Sequence, residues 1–230
     1  MNNKVVSPDE WLQARQVLLE QEKALTRLRD DVAEARRAMP WTRVETDYLF
    51  QGPEGPCRMS DLFAGKSQLI TYHFMFGPDW QEGCKSCSFW ADQYDTINLH
   101  IGQRDVALAV ISSAPWQNFM PFKQRMGWDF NWVSAAGTSF NQDFHVTFNA
   151  AGVNDYNYQM TGTGEEMPGL SVFYRDADGN VFHTYSCYAR GLDPLNATYQ
   201  MLDLVPRGRD EMALDYPMAW VRLHDQYTTD

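Results

Sequence analysis

Residues 69–90 read LITYHFMFGPDWQEGCKSCSFW. The opening run, Leu69 to Phe76, is continuous in apolar and β-favouring residues, as a strand buried on both faces should be. Gly77-Pro78-Asp79 breaks it, and from Cys84 onward the pattern turns helical. A buried strand therefore hands over to a helix through a loop that ends in two cysteines three residues apart. Three readings of that pair are open: a redox couple, half of a metal site, or two unengaged thiols.

The elements on either side place this unit in a larger fold. Upstream, Asp47-Tyr48-Leu49-Phe50 is a short strand candidate, followed by the turn-rich QGPEGP and a brief capped helix at Ser60–Phe63. Downstream, a helix is expected from about Cys84 to Gly102 and a second buried strand over Asp105–Ser113. A helix over Pro115–Gly127 and a short strand at Trp132–Ser134 follow. Residues 138–164 are polar, aromatic and rich in Asn and Gly, and match no element. Gly169–Arg175 and Asn180–Tyr188 are strand-like and flank Asp178-Gly179, a strong hairpin signal. A helix from Pro194 to about Leu204 closes the series. Strand–helix–strand asks for a parallel crossover and the terminal hairpin for an antiparallel edge. The fold class expected is α/β, a mixed central sheet flanked by helices.

At the N-terminus, Ser7-Pro8-Asp9-Glu10 is a helix start: Ser7 as N-cap, Pro8 at the first helical position, Glu10 completing a capping box. No Gly or Pro interrupts the chain from there to Met39-Pro40. Trp11, Leu18, Leu25 and Val32 recur every seven residues, with Ala14, Gln21, Leu28 and Ala35 on the offset row. That seam suits either a helix lying on its own domain or an arm for a homodimer. The division expected is a helical arm over 1–40, a domain over 41–211 and a tail over 212–230 packed on it.

Composition narrows the partners. The net charge of −11 argues against nucleic acid and anionic membrane surfaces, which need basic patches. The chain shows no secretory signal pattern and no run approaching the ~20 apolar residues of a membrane span, so it is expected to be soluble and cytoplasmic. Four cysteines (Cys57, Cys84, Cys87, Cys187) are too few for a disulfide framework at 230 residues. In a reducing compartment a close pair is more often catalytic or metal-binding.

If a helix begins at Cys84, its sulfur faces unpaired N–H groups and the positive end of the helix dipole, with Lys85 adjacent. Such settings lower a cysteine pKa from about 8.5 to roughly 3.5–7.5. Cys84 is then the nucleophile and Cys87, one turn further in, the resolving thiol. Trp80 and Trp90 flank the motif and either wall the site off from water or simply pack, with Trp80 expected among the substrate-binding residues. A single pair of cysteines supplies two of four metal ligands, so a metal site would need His73 or His183 as well. No cofactor is required by thiol exchange.

The whole pattern resembles the thioredoxin superfamily. FMFGPDWQEGCKSCSFWAD (74–92), RMGWDFNWVS (125–134), FNQDF (140–144), PGLSVFYRDADGNVFHTYS (168–186), ARGLDPL (189–195) and LDLVPRGRDE (202–211) are similar, in order, to a mostly bacterial thioredoxin-like family known only as domain of unknown function 899. The resemblance implies a thioredoxin-like fold and a thiol–disulfide or peroxiredoxin-like role, with a disulfide-bearing protein, small thiol or peroxide as substrate. It also implies that Met167-Pro168, directly before a strand, is the cis-proline that faces the cysteines and docks substrate. Two departures count against the better-known members: Gly83 stands where thioredoxin has Trp, and no hydroxyl residue lies between Pro78 and Cys84. The alternative is a non-enzymatic module of this fold that binds a metal ion or a partner protein.

Overall fold

The computed structural model describes residues 3–148, 155–158, 160–161 and 166–228. The chain divides into two compact units, Met1–Pro40 and Trp41–Asp230.

The first unit is α1 (Pro8–Ala38). The capping box forms as the sequence dictates: Glu10 N–H donates to Ser7 Oγ (3.3 Å), and Ser7 N–H donates to the Glu10 carboxylate (3.0 Å). Two orphan amides are thereby satisfied at the start of the helix. At the other end Met39 is already extended, as the residue before Pro40 must be.

The second unit is built on an eight-stranded sheet. Its strands are β1 (Thr42–Arg43), β2 (Leu49–Gly52), β3 (Gly55–Arg58), β4 (Gln68–His73), β5 (Val106–Ser112), β6 (Asn131–Ser134), β9 (Gly169–Arg175) and β10 (Val181–Tyr188), in the order β1-β10-β9-β4-β5-β6-β2-β3. A separate small hairpin is formed by β7 (Asp155–Tyr156) and β8 (Met160–Thr161). β4, β5 and β6 run parallel, whereas β9 pairs antiparallel with β4 and with β10. This is the α/β, thioredoxin-like plan: a parallel half reached through helical crossovers, and an antiparallel hairpin on the other side of the central strand.

Period-two alternation sorts the core into two layers. Tyr72, Phe74, Leu108 and Val110 point to one face, where they meet Cys87, Trp90, Phe119, Phe122, Trp128 and Trp132. Leu69, Ala107, Ala109 and Ile111 point to the other, against Phe50, Phe63, Phe140 and Phe173. The high aromatic content is thus mostly internal, filling both layers of the sheet.

Several boundaries differ from the sequence expectation. The single helix expected over 84–102 is two, α3 (Lys85–Ala91) and α4 (Tyr94–Ile101). At the break, Asp92 accepts from Trp128 Nε1 (2.9 Å) and pairs with His224 Nδ1 (2.6 Å), so tertiary bonds fix the interruption. QGPEGP is the turn of the β2–β3 hairpin, with Gly55 at φ +105°; its second strand carries Pro56, tolerable because β3 is an edge. The other helices are α2 (Met59–Leu62), α5 (Trp116–Arg125), α6 (Phe140–Asp143) and α7 (Ala197–Leu202). α7 is shorter than expected: Pro194 lies in a 3₁₀ stretch, and Asn196 caps the helix through Tyr199 N–H (3.0 Å). The unassigned segment 138–164 contributes α6, β7 and β8, while 149–154, 159 and 162–165 of it lie outside the described residues. Among the described residues no helix is long and apolar enough to cross a membrane.

Candidate active site

β4 sets the position of everything that follows it. Beyond His73 the chain stays extended through Phe74 and Phe76, whose backbones remain bonded to the β5 side of the sheet. Gly77–Gly83 then loops back so that Cys84 N–H donates to Met75 O (3.1 Å), while Met75 N–H donates to Cys87 Sγ (3.5 Å). One residue just past the end of β4 thus bonds both cysteines. Cys84 is the non-helical N-cap of α3, and its carbonyl accepts the first helical bond, from Ser88 N–H (2.9 Å), as well as the Ser88 hydroxyl (3.0 Å).

Two glycines make that loop possible. A β-carbon at Gly83 would stand 2.6 Å from Phe74 Cε1 and 2.7 Å from Phe122 Cε1, both on buried rings. At Gly77 the Trp80 ring occupies the side-chain space, its Nε1 2.8 Å from where a β-carbon would be. Trp80 and Cys84 pack against the same aromatic layer.

The two thiols are electrostatically unequal. Cys84 is half-buried, and its pKa is drawn down to about 6, chiefly because the Cys87 thiol donates to its sulfur. The N–H groups of Cys87 and Ser86 and the Ser86 hydroxyl act in the same direction against the cost of burial. Cys87 is 1% exposed, and its thiol is pushed well up by burial and then by Cys84. Met75 N–H and the Tyr72 hydroxyl oppose that rise from the strand side. Lys85, offered by the sequence as an acidifying charge, is directed elsewhere. Its ammonium donates to Ala219 O (3.4 Å) and lies over the Tyr216 ring (5.7 Å).

The C-terminal segment closes around α3. Arg125 joins Glu82, two residues before Cys84, to Asp225 through a bidentate pair (2.7 and 3.1 Å). Glu82 is therefore an ion-pair partner, not a carboxylate aimed at the sulfur. Trp220 meets Phe89 edge-on (5.5 Å), and Val221 and Leu223 are buried. Glu211 accepts from Tyr199 OH, Met218 N–H and Trp220 Nε1 at 2.7–3.0 Å.

Met167 and Pro168 do not adopt the cis bond expected of them. No peptide bond among the described residues is cis, so Met167–Pro168 is trans. The Gly169–His73 pairing does put them at the cysteine end of the sheet. Their backbone groups, however, are already engaged: Met167 N–H donates to Val146 O (2.8 Å), and Pro168 O accepts from Tyr156 OH (2.6 Å). Gly169 follows in close packing, since a β-carbon there would stand 2.7 Å from the Tyr188 ring.

The histidines that a metal site would recruit face away. His73 stacks on Phe140 (5.6 Å) and Phe144 (6.0 Å) in the other layer. There it joins a chain of bonds, His73 Nε2–Ser171 Oγ (2.8 Å), Ser171 Oγ–Ser186 Oγ (2.8 Å) and His183 Nε2–Ser186 Oγ (2.7 Å). Among the described residues no cluster of three His, Cys, Asp or Glu could hold a metal ion. Cys187 is buried in the same layer as Cys87, and Cys57 is half-buried on β3. A surface groove of about 390 Å³ lined by Tyr48, Gln51 and Thr138 includes none of the cysteine-site residues.

Residues that sequence reading did not single out are Tyr72, Met75, Ser86 and Arg125. Ser86 was legible as a hydroxyl inside the CKSC motif. Tyr72 and Met75 act only because β4 lies beneath α3, which no local pattern states.

An α/β, thioredoxin-like sheet with two thiols of opposite acidity at the start of the helix after its central strand is the class that fold and site define. The chain belongs to the family described as bacterial protein of unknown function (DUF899), whose model matches residues 1–227. Among solved structures, peroxidoxin BcpB from Mycobacterium tuberculosis is 15% identical over 71% of this chain and 97% of its own, with a TM-score of 0.48. Peroxiredoxin Q from Xanthomonas campestris is 12% identical over 71% and 98%, TM-score 0.48. The mitochondrial 2-Cys peroxiredoxin from Plasmodium falciparum is 11% identical over 70% and 92%, TM-score 0.41. No curated protein sequence matches the chain.

Proposed function

We propose that the protein is a thiol–disulfide oxidoreductase with Cys84 as nucleophile and Cys87 as resolving thiol. The observation that supports this most is the inequality of the pair. Within one helical turn, a half-exposed thiol is made acidic by the hydrogen bond of a buried thiol that is itself held protonated. Both cysteines are also bonded to one residue, Met75, just past the end of β4.

The chemistry follows from that asymmetry. At neutral pH Cys84 is substantially thiolate and attacks one sulfur of a substrate disulfide. The substrate S–S bond breaks, its second sulfur leaves as a thiolate that takes a proton from solvent, and a Cys84–substrate mixed disulfide forms. Cys84 no longer bears the charge that added to the effect of burial on Cys87. Cys87 gives its proton to solvent, Met75 N–H and Tyr72 OH stabilise the thiolate formed, and that thiolate attacks Cys84 Sγ. The mixed disulfide breaks, the remaining substrate thiolate leaves, and a Cys84–Cys87 disulfide closes. Two electrons have passed to the substrate, and a dithiol reductant returns the enzyme to its starting state. Sulfur exchange carries those electrons without a cofactor.

The substrate is the disulfide of a protein or small molecule, approaching past Trp80. A redox titration with thiol trapping and mass readout tests the reading. The expected result is a reversible Cys84–Cys87 disulfide at a potential between about −270 and −120 mV. A pair that stays reduced at every poise would sink the proposal.

A further inference from the structure

The α1 helix presents a seam that the cysteine chemistry does not use. None of its residues is buried. Trp11 is 59% exposed, Leu18 and Leu25 are 48%, Leu28 is 57% and Val32 is 41%. With helical geometry now in place over Pro8–Ala38, Trp11, Leu18, Leu25 and Val32 fall on one row of a heptad and Ala14, Gln21, Leu28 and Ala35 on the other. Leu12 and Leu19 widen the apolar strip in the first half only, whereas the seven-residue rows run through the whole element. An apolar row sustained at period seven over about four heptads is the condition for a coiled coil.

The flanking charges state which occupant fits. In a parallel, in-register pair, each residue before the first seam row opposes the residue five positions later on the second copy. Those pairs are Glu10 with Arg15, Val17 with Glu22, Ala24 with Arg29, and Asp31 with Arg36. Two are of opposite charge, each formed twice across the axis, and none is of like charge. Running the helices antiparallel instead brings Arg15 against Arg36, a like-charge contact also formed twice. The polar seam residue points the same way. Gln21 meets its own copy only in the parallel register, where the two side-chain amides can bond to each other. Within one copy the helix already pairs Arg15 with Glu22 (2.7 Å) and Glu20 with Lys23 (2.9 Å), so on dimerisation Arg15 exchanges or shares its partner and does not gain a first one.

We propose that α1 is the dimerisation element of this protein, pairing with α1 of a second copy as a parallel, in-register coiled coil. The inference is independent of the cysteine chemistry and stands or falls without it.

The test is the solution mass of the full chain by light scattering and sedimentation. At roughly 100 µM, where even a micromolar dimer is nearly filled, the expected mass is twice the 26.5 kDa of one chain. Leu25→Asp places a charge in the centre of the seam and is expected to raise the dimer dissociation constant at least about 100-fold. Asp31→Arg is expected to weaken it about tenfold, and adding Arg36→Asp in the same chain to restore it. Tryptophan fluorescence, which reports mostly on the second unit, checks that the variants stay folded. A monomeric wild-type chain, or a dimer indifferent to both Leu25→Asp and Asp31→Arg, overturns the proposal. Failure of the double variant to recover overturns the parallel register.

Discussion

Met75 donates its backbone N–H to Cys87 Sγ at 3.5 Å and, through its carbonyl, accepts the N–H of Cys84. Met75, just past β4, therefore ties the Cys84 backbone and the Cys87 sulfur to one peptide unit before any substrate arrives. Their hydrogen bond, and not the neighbouring Lys85, is the main reason that Cys84 is acidic.

That cause is separable by mutation. The pH profile of Cys84 alkylation should inflect near pH 6 in the wild type. In Cys87→Ala the largest acidifying contact is gone, so the inflection should move up toward the ordinary cysteine range of about 8.5. Lys85→Met should leave it nearly in place. A profile that follows Lys85 and ignores Cys87 would reverse the assignment.

Gly83 makes a steric prediction. Phe74 and Phe122 sit where its β-carbon would go, and both rings are buried too tightly to yield. Gly83→Ala should destabilise the chain by about 1–3 kcal/mol, the usual cost of overpacking. Because the loop must shift to relieve the contact, Cys84 should also lose its bond to Met75 and react more slowly at fixed pH. Thermal melts and alkylation rates measure the two effects separately. An unchanged melting temperature would mean the aromatic wall is looser than it looks.

Tyr72 predicts a change in one step only. Its hydroxyl bonds Cys87 and lowers that thiol's pKa, whereas its interaction with Cys84 is one of charge alone and ranks last among the influences on Tyr72. Tyr72→Phe should therefore leave the initial attack untouched and slow resolution about fivefold, the kinetic equivalent of roughly 1 kcal/mol for one hydrogen bond. In a stopped exchange the mixed disulfide should accumulate. Equal slowing of both steps would show instead that the ring merely supports the site.

Much of this is legible in the chain itself. LITYHFMF reads as a strand buried on both faces, of which β4 takes the part up to His73, and the Asp178-Gly179 turn marks the antiparallel hairpin beside it. The Ser7–Glu10 box marked the start of α1 to the residue. What escaped was whatever depends on another segment's arrival. The split between α3 and α4 is held by Trp128 and His224, which lie 36 and 132 residues away from Asp92. The bonds from Met167 N–H to Val146 and from Tyr156 OH to Pro168 O are likewise invisible to a local pattern. Local pattern gives the thiols; their environment is a matter of long-range contact.

His73 yields a prediction about acid stability. Buried at 1% exposure between Ser171 and the Phe140 ring, its imidazole has its pKa lowered from 6.5 to about 3, mainly by desolvation. His183, at the far end of the same hydroxyl chain, is shifted in the same direction by burial. A histidine that cannot protonate when folded but does so when unfolded favours the unfolded chain as pH falls. The cost is absent above the unfolded pKa of about 6.5 and grows by up to about 1.4 kcal/mol per pH unit below it, until the folded group titrates near 3. Denaturant titrations from pH 7 to pH 4 should show this slope, and His73→Gln, which keeps a hydrogen-bonding amide without a titrating ring, should remove most of it. If the variant retains the full acid slope, the carboxylates and His183 carry the effect, and His73 is already charged in the fold.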